Sequence, residues 1–303
     1  MKRNSLAWRV YQSWEYYVMI LLPLAILITY KYVPLWFNII SFYDYSIFGG
    51  LKASNFVGMK NFSLLFADAM FPRIFTNTLL ISLLNLLFGF PVPVILALIL
   101  NEVKNSTLKR TAQTMIYLPH FMSWVVFGNI ISTVLMPQTG MVNQIIMSLG
   151  GESINFIGSK TYFRAVLVTS DIIKESGWGT IVYLAALTQI DPSLYESAEI
   201  DGAGRFRMII SITLPCIAST IVMLFILKLG NLMTANFQQI FVLYNPSVYK
   251  VADVFETYIY RNGIVGGDYS YTTAMGLFQS VITTTLVVSA NVLSKRMAGY
   301  SIW

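Results

Sequence analysis

The chain has 303 residues, of which 56% are hydrophobic and 11% are charged, and its formal net charge is +6. Soluble domains carry roughly 25% charged residues, so this composition indicates an integral membrane protein. One cysteine, Cys216, and one histidine, His120, exclude a disulfide framework, a Cys/His zinc site and a histidine-based triad. No basic patch with interleaved aromatic residues occurs, so nucleic-acid binding is not expected, and the basic excess is more typical of membrane topology.

Six apolar segments follow one another along the chain, and each is long enough to cross a bilayer as a helix. The predicted spans are residues 16–42, 75–101, 111–136, 161–189, 212–235 and 271–293. The first is too long for a signal-peptide core and has no small-residue cleavage site, so we expect it to remain as a span. The sequence therefore predicts an all-α integral membrane protein with a single transmembrane domain over residues 1–303.

Two local features of these segments carry predictions of their own. In the second span, Pro91 and Pro93 predict a kink, because each proline removes a backbone donor and clashes with the preceding turn. Between the third and fourth spans, residues 141–149 are expected to form a short helix along the membrane surface.

A polar segment, residues 191–211, separates the fourth span from the fifth. Its first three residues, Asp-Pro-Ser, predict a helix start because proline fits the first helical turn, and Ser193 with Glu196 has the spacing of a capping box. Gly202 and Gly204 are expected to end that helix, since glycine adopts the left-handed conformation without a Cβ clash. A second helix then leads into the membrane, so the segment forms a helical elbow.

The distribution of positive charge gives the orientation of these segments. Lysine and arginine are denser in the two termini, the elbow and the loop after the second span than in the remaining connections. Since cytoplasmic loops carry the excess of basic residues, the elbow and both termini are expected to lie in the cytoplasm.

The spacing within the elbow resembles the EAA loop of binding-protein-dependent ABC importer permeases. Glu196-Ser-Ala198, three further residues, Gly202, nine further residues and Ile212-Thr-Leu-Pro215 reproduce that spacing. The one departure is Ser197, where the family usually has alanine. Other stretches resemble the sugar-importer branch, especially its oligosaccharide and polysaccharide permeases, and they include Lys31-Tyr-Val-Pro34, Gly58-Met-Lys-Asn-Phe62, Tyr244-Asn-Pro246 and the terminal Ile302-Trp303.

This resemblance implies the type I importer permease fold, similar to maltose permeases, with the elbow as a coupling helix that docks on an ATPase. The residues expected in the docking surface are Tyr195, Glu196, Ser197, Ala198, Asp201, Gly202, Ala203 and Gly204. It also implies two cytoplasmic ATPase subunits, a second and different permease, and an extracytoplasmic solute-binding protein. The chain would lie in the bacterial cytoplasmic membrane.

The chain has no Gly-x-x-x-x-Gly-Lys-Ser/Thr motif to cradle phosphates, so it is not expected to be an enzyme. No cofactor or metal is expected on it, and ATP and Mg²⁺ would be bound by the partner ATPase subunits. The alternative is a secondary transporter or channel whose charges within spans act as coupling sites. That alternative leaves the elbow unexplained, and the chain shows no internal repeat.

Ionisable residues within spans are candidates for function, because a charge in hydrocarbon costs roughly 2.5 kcal/mol or more unless it is paired or hydrated. On the fourth span, Arg164, Asp171 and Trp178 recur every seven residues and form one stripe. Lys174 and Glu175 flank this stripe, and the sequence leaves open whether they pair internally or line a cavity.

The candidate residues of the substrate path are Asp171, Lys174, Trp178, Lys228, Asn231, Gln279, Ser280 and Thr283. Amides and hydroxyls beside aromatic faces suit a sugar, although such residues also join transmembrane helices to each other. Lys174 and Lys228 suggest that the path favours acidic saccharides such as uronate oligomers. For His120, a structural hydrogen bond is expected rather than a proton relay.

Overall fold

The structure is a computed structural model that describes residues 12–298. The α-helices in chain order are α1 Trp14–Leu27, α2 Val33–Trp36, α3 Lys60–Ala67, α4 Phe71–Leu84, α5 Pro91–Glu102, α6 Ser106–Tyr117, α7 Trp124–Val134, α8 Met141–Ser148, α9 Phe163–Leu187, α10 Pro192–Ile200, α11 Arg205–Met208, α12 Leu214–Cys216, α13 Ala218–Leu229, α14 Phe237–Leu243, α15 Tyr249–Ala252, α16 Phe255–Ile259 and α17 Tyr269–Ala298. Two short strands, β1 Tyr43–Asp44 and β2 Asn55–Phe56, pair antiparallel with Tyr43 opposite Phe56. The basic N-terminal residues and the Ile302-Trp303 motif lie outside the described residues.

Wide π turns extend several of these helices, and three of them precede a proline in the same register. The turns Ile28–Tyr32, Asn85–Gly89 and Ile209–Thr213 each end two residues before a proline. Since the ring of a proline clashes with the carbonyl four residues earlier, a wider turn at that carbonyl lets the helix continue. The kink predicted at Pro91 takes this form, and Phe71–Glu102 continues through it as one long helix.

Two predicted spans are not single straight helices. In the third, Ser106–Phe121 and α7 meet at an angle of 106°, after Pro119 and at Ser123, whose side chain caps α7 by accepting a hydrogen bond from Val126 N–H. In the fifth, the helix Arg205–Cys216 meets α13 at 64°. A proline next to each break removes a backbone donor there, which explains why the helix does not run straight.

In the part of the chain that the structure describes, three helices are long and apolar enough to cross a membrane, namely Trp14–Phe42, Phe71–Glu102 and Tyr269–Arg296. The two bent pairs raise the number to five if each pair is one span. The predicted fourth span, α9, is long but is not in this set, and it carries four charged residues. The surroundings of these four charged side chains therefore decide whether they are paired within the protein or available to a ligand.

The chain divides into two compact units. The first contains the residues up to Phe66 together with Asn262–Leu277. Within it, Asn61 donates hydrogen bonds to the carbonyls of Ser41 and Tyr43, and the Tyr45 N–H donates to Ser270 Oγ. The long helix α1 contributes no buried residue, so its apolar surface is available to lipid or to another subunit.

The second unit contains Ala67–Arg261 and the chain from Phe278 onward, and α9 is its central helix. Two apolar cores lie against α9, one near its start around Phe163 and Leu167 and one near its end around Tyr183 and Leu187. The helix is also fixed by polar contacts, since the buried Gln239 side chain donates to Leu167 O and Ser170 Oγ. These contacts determine which face of α9 remains open.

The short helix predicted at residues 141–149 is confirmed as α8. Its fully buried Asn143 donates hydrogen bonds to the carbonyls of Leu135, Met136 and Ile154 and accepts one from the Ile154 N–H. A buried amide that satisfies several backbone groups fixes the path of the chain on both sides of a helix.

Candidate functional site

The elbow helix α10 begins as the Asp-Pro-Ser run predicts, but its cap differs from the prediction. Asp191 is the N-cap, and its carboxylate accepts a hydrogen bond of 2.9 Å from the Ser193 N–H. This hydrogen bond lowers the pKa of the Asp191 carboxyl below its ordinary value. The predicted capping box of Ser193 and Glu196 does not form, because Pro192 occupies the first helical position and places Ser193 one residue inside the helix.

The glycine break of the elbow is confirmed at Gly202, whereas Gly204 has φ −73° and is the N-cap of α11. After α10 ends at Ile200, Gly202 has φ +76°, and the Ala203 N–H donates back to the Ala198 carbonyl. That pair of features is the usual way to close a helix at a left-handed residue. The chain then starts the helix Arg205–Cys216, which leads to the bend before α13.

Most of the predicted docking residues are exposed in the elbow. Glu196, Ser197, Asp201, Gly202 and Gly204 are exposed, whereas Tyr195, Ala198 and Ala203 are half-buried. Sequence reasoning missed two apolar neighbours, Ile200 and Phe206, which are 87% and 76% exposed. Large apolar side chains within a polar segment were the signal that would have found them.

A cavity of about 350 Å³ lies between α5, α9 and α13, and we call it the Trp178 cavity. An adjoining cavity of about 330 Å³, the Asn236 cavity, is lined by residues of α4, α9 and the end of the fifth predicted span. Asp171, Glu175, Lys228 and Asn231 line both cavities, and Trp178 lines the first. The structure therefore brings together four of the predicted path residues, Asp171, Trp178, Lys228 and Asn231.

Lys174 does not line either cavity, in contrast to its predicted place in the path. Its buried ammonium donates to the His120 carbonyl at 2.8 Å, lies 3.3 Å from Glu175 Oε1 and sits 5.3 Å from the centre of the Trp124 ring. The His120 carbonyl and the Trp124 ring both lie on the side of α9 that faces α6 and α7. Of the two alternatives left open by the sequence, Lys174 pairs internally, and Glu175 both pairs and lines the cavity.

The structural hydrogen bond expected of His120 is confirmed. Its Nδ1 lies 2.7 Å from Glu175 Oε2, and its ring stacks on Trp178 with centroids 4.6 Å apart and planes 6° apart. The Trp178 side chain is still 48% exposed. One face of the indole is thus supported by His120, and the residue presents aromatic surface to the cavity.

Lys228 is the available cation of the cavity. Within residues 12–298, its ammonium forms no hydrogen bond and no ion pair shorter than 4.0 Å, although its charge acts on the Asp171 carboxylate. The Lys228 side chain is exposed, whereas Asp171 is only 8% exposed. A ligand in the cavity would therefore meet the ammonium more readily than the carboxylate.

The three predicted path residues of α17 do not line these cavities. Buried Gln279 donates hydrogen bonds to Met233 O and to Glu256 Oε1, so it ties α17 to the segment after α13 and to α16. Thr283 Oγ1 is buried without a partner in residues 12–298, and Ser280 is exposed. Sequence reasoning missed Asn85 and Asn236, which do line the Asn236 cavity.

Glu256, which the sequence did not single out, predicts a pH dependence of stability. It lies on α16, outside the predicted spans, and burial raises the pKa of its carboxyl from 4.5 to about 7. Its Oε2 is buried with no hydrogen-bond partner in residues 12–298. Because the pKa of the Glu256 carboxyl is higher in the folded protein than in the unfolded one, protonated Glu256 favours the folded state. Its contribution to the free energy of unfolding is complete below about pH 4.5 and is lost as the pH rises through about 7.

We therefore expect Glu256→Gln to melt at a higher temperature than the native protein at about pH 8, with no difference at about pH 4.5. Thermal unfolding in detergent over this range measures the effect. Glu199→Gln is the control, since Glu199 is exposed on α10. A difference in melting temperature between Glu256→Gln and the native protein that stays the same at every pH would contradict the expectation.

The helical fold, the glycine-broken elbow and the polar cavity define a transport protein of the membrane. The profile of the family described as "Binding-protein-dependent transport system inner membrane component" matches residues 62–299, and the chain belongs to this family. It is 42% identical to the polygalacturonan/rhamnogalacturonan transport system permease protein YteP of Bacillus subtilis (strain 168) over 302 residues, which are 100% of this chain and 94% of that protein. It is 45% identical to Protein LplB of the same organism over 280 residues, 92% of this chain and 88% of that one.

Two solved structures share the fold. A chain of a bacterial alginate ABC transporter, in complex with an alginate pentasaccharide-bound periplasmic protein, superposes with a TM-score of 0.91 and 38% identity, covering 99% of this chain and 100% of that chain. A chain of a bacterial ABC transporter involved in the import of the acidic polysaccharide alginate superposes with a TM-score of 0.89 and 39% identity, covering 97% of this chain and 99% of that chain.

These likenesses confirm the predicted fold class, an all-α integral membrane protein with the type I importer permease fold. The chain is the permease component of a binding-protein-dependent ABC importer, and the alternative of a secondary transporter or channel is not favoured. It is not an enzyme, because the ATPase of this family is a separate subunit.

Proposed function

We propose that this permease forms, with a second permease, the membrane path for acidic oligosaccharides or fragments of acidic polysaccharides. The observation that carries the proposal is the placement on one cavity of the exposed indole of Trp178 and of the Lys228 ammonium, which has no ion-pair partner within 4.0 Å in residues 12–298. Sugar rings stack on aromatic faces through their C–H groups, and an ammonium attracts a uronate carboxylate. The alginate transporter, described as an importer of an acidic polysaccharide, is a similar protein that supports this class of substrate.

The other charges of the cavity are compatible with an acidic ligand. Glu175 is held by His120 and Lys174, so its negative charge is balanced within the protein. Asp171 is nearly buried. Lys228 is consequently the charge that a ligand meets, and an anionic group would gain most beside it because the surroundings are less polar than water.

The same proposal assigns the partners of this chain. Two cytoplasmic ATPase subunits bind ATP and Mg²⁺, and one of them docks on the elbow, where Glu196 and Asp201 offer exposed carboxylates to basic residues. A second, different permease completes the path, and an extracytoplasmic binding protein delivers the saccharide. Both termini then lie in the cytoplasm of a bacterium, on the side of the elbow.

Co-purification with the ATPase tests the docking part of the proposal. The native permease is expected to retain the ATPase subunit, whereas Glu196→Lys reverses a charge on the exposed elbow and is expected to lose it. Ser197→Ala is the matched control, since both side chains are small and the helix is preserved.

The substrate part is tested by ATP-dependent uptake of uronate oligomers into proteoliposomes. Uptake driven by an ion gradient without any ATPase would refute the proposal.

A further inference from the structure

The elbow helix α10 is attached to the rest of the second unit by very few polar contacts. Within residues 12–298, its side chains form one hydrogen bond to another helix, between Tyr195 Oη and Thr213 Oγ1 at 2.9 Å. No ion pair joins Glu196 or Glu199 to another helix in the same part of the chain. Apart from the backbone turn at Gly202, a single side-chain hydrogen bond therefore links α10 to the helix that follows.

The direction of this hydrogen bond follows from the neighbours of Thr213. Thr213 Oγ1 also lies 3.4 Å from the Met208 carbonyl, which can only accept. A threonine hydroxyl has one proton, so Thr213 donates to Met208 and accepts from Tyr195. The bonds form a short chain from the Tyr195 hydroxyl through Thr213 to the carbonyl of Met208, the last residue of α11 before the π turn.

Thr213 occupies a mechanically sensitive place. It is the last residue of the π turn Ile209–Thr213, is only 3% exposed, and precedes Pro215 by two residues. The bend of 64° toward α13 follows directly after Cys216. Helices bend most readily at prolines and π turns, so a displacement of Thr213 acts on the segment of this helix that bends most easily.

A cavity of about 330 Å³ lies beside the bond, and we call it the elbow cavity. Tyr195, Ala203, Arg205 and Thr213 are among the residues that line it. Because this space is not filled by side chains, the Tyr195 ring has room to tilt while its hydroxyl remains attached. The bond is thus the fixed point of a contact that is otherwise loosely packed.

We propose that the Tyr195–Thr213 hydrogen bond is the joint that carries movement of the docked elbow to the bend of the fifth span and onward to Lys228 on α13. The inference rests on the proposed function, since the elbow moves only if an ATPase docks on it. Tyr195 is then a positioning residue that acts inward through Thr213, in addition to its expected place in the docking surface. Both hydroxyls are required for this role, because the bond needs one as donor and the other as acceptor.

The test uses the complete importer, reconstituted with its ATPase subunits, second permease and binding protein. Thr213→Val removes the hydroxyl and keeps the shape, and Thr213→Ser keeps the hydroxyl. Tyr195→Phe removes the other hydroxyl alone. The quantities measured are co-purification of the ATPase, basal ATP hydrolysis, and saccharide transported per ATP hydrolysed.

Thr213→Val is expected to retain the ATPase and its basal hydrolysis but to transport about five-fold less saccharide per ATP, the factor that corresponds to one lost hydrogen bond. Tyr195→Phe is expected to lower the same ratio by a similar factor, and Thr213→Ser is expected to match the native protein. The double variant Tyr195→Phe/Thr213→Val is expected to be no worse than either single variant, since each removes the same bond.

Three results would contradict the proposed role of the Tyr195–Thr213 hydrogen bond. They are a native transport ratio in both single variants, additive losses in the double variant, and loss of the ATPase from Thr213→Val, which would make Thr213 a residue of folding rather than coupling. Failure of the proposed function looks different. In that case the native permease itself neither retains an ATPase nor shows ATP-dependent uptake.

Discussion

Gly177→Ala is expected to prevent accumulation of folded permease in the membrane. Gly177 lies on α9 where it crosses α6, and a Cβ placed on it would clash with the Ile116 carbonyl oxygen. The clash is with backbone rather than with a flexible side chain, so the two helices would have to separate. Overpacking in a well-packed interior typically costs about 1–3 kcal/mol and more where the backbone must move, which is a large part of a marginal stability.

Size-exclusion profiles of a fluorescent fusion, together with the amount of protein in the membrane fraction, measure this loss. Gly89→Ala is the control, because a Cβ at Gly89 would meet the Ile172 side chain at an ordinary distance of 3.6 Å. A native profile for Gly177→Ala would show that the crossing of α6 and α9 is looser than the structure indicates.

Lys228→Gln is expected to lower uptake of a uronate oligomer by about ten-fold or more while leaving assembly intact. A hydrogen bond to a charged group contributes about 1.5–3 kcal/mol, and glutamine is a polar side chain, one atom shorter than lysine, without the charge. ATP-dependent uptake into proteoliposomes measures the effect. The same oligomer with esterified carboxylates separates loss of charge recognition from a general defect, since its uptake should change little.

Two further lysine variants sharpen this comparison. Lys295→Gln alters an exposed lysine in the last turn of α17, away from the cavity, and is expected to be neutral. Lys174→Gln removes the buried partner of Glu175 and the His120 carbonyl, so it is expected to reduce the uptake of both oligomers alike. Native uptake of the acidic oligomer by Lys228→Gln would remove the support that the cavity gives to an acidic substrate.

The elbow could be predicted because its signals are local. Pro192 fixes the first turn of α10, and Gly202 supplies the left-handed residue that ends it, whatever the rest of the chain does. The cap was predicted wrongly because Asp191 and Ser193 are both good capping residues two positions apart. The preference of proline for the first helical position favours Asp191, whereas the spacing of Ser193 and Glu196 matches a capping box that does not form.

The substrate cavity could be predicted only in part. Arg164, predicted on one stripe with Asp171 and Trp178, lines neither cavity, since its guanidinium donates to Asn77 Oδ1 and to the Val251 carbonyl. The period of 3.6 residues per turn correctly placed Asp171 and Trp178 on the side of α9 that lines the cavity, with Glu175 beside them. It did not separate Lys174 from them, because a flanking residue turns toward the cavity or toward α6 according to the packing of neighbouring helices. On α17, polar residues such as Gln279 were correctly placed on a helix but join helices rather than line these cavities.

The sequence by itself determined the membrane character of the chain, the order of its long helices and the elbow, because hydropathy and turn chemistry act within a few residues. The tertiary structure alone decided the bends in the third and fifth spans, the inward pairing of Lys174, the place of Lys228 on the cavity and the bond between Tyr195 and Thr213. Each of these depends on how a helix is rotated and which neighbour it meets, and those quantities are set by packing between segments that are distant in the chain.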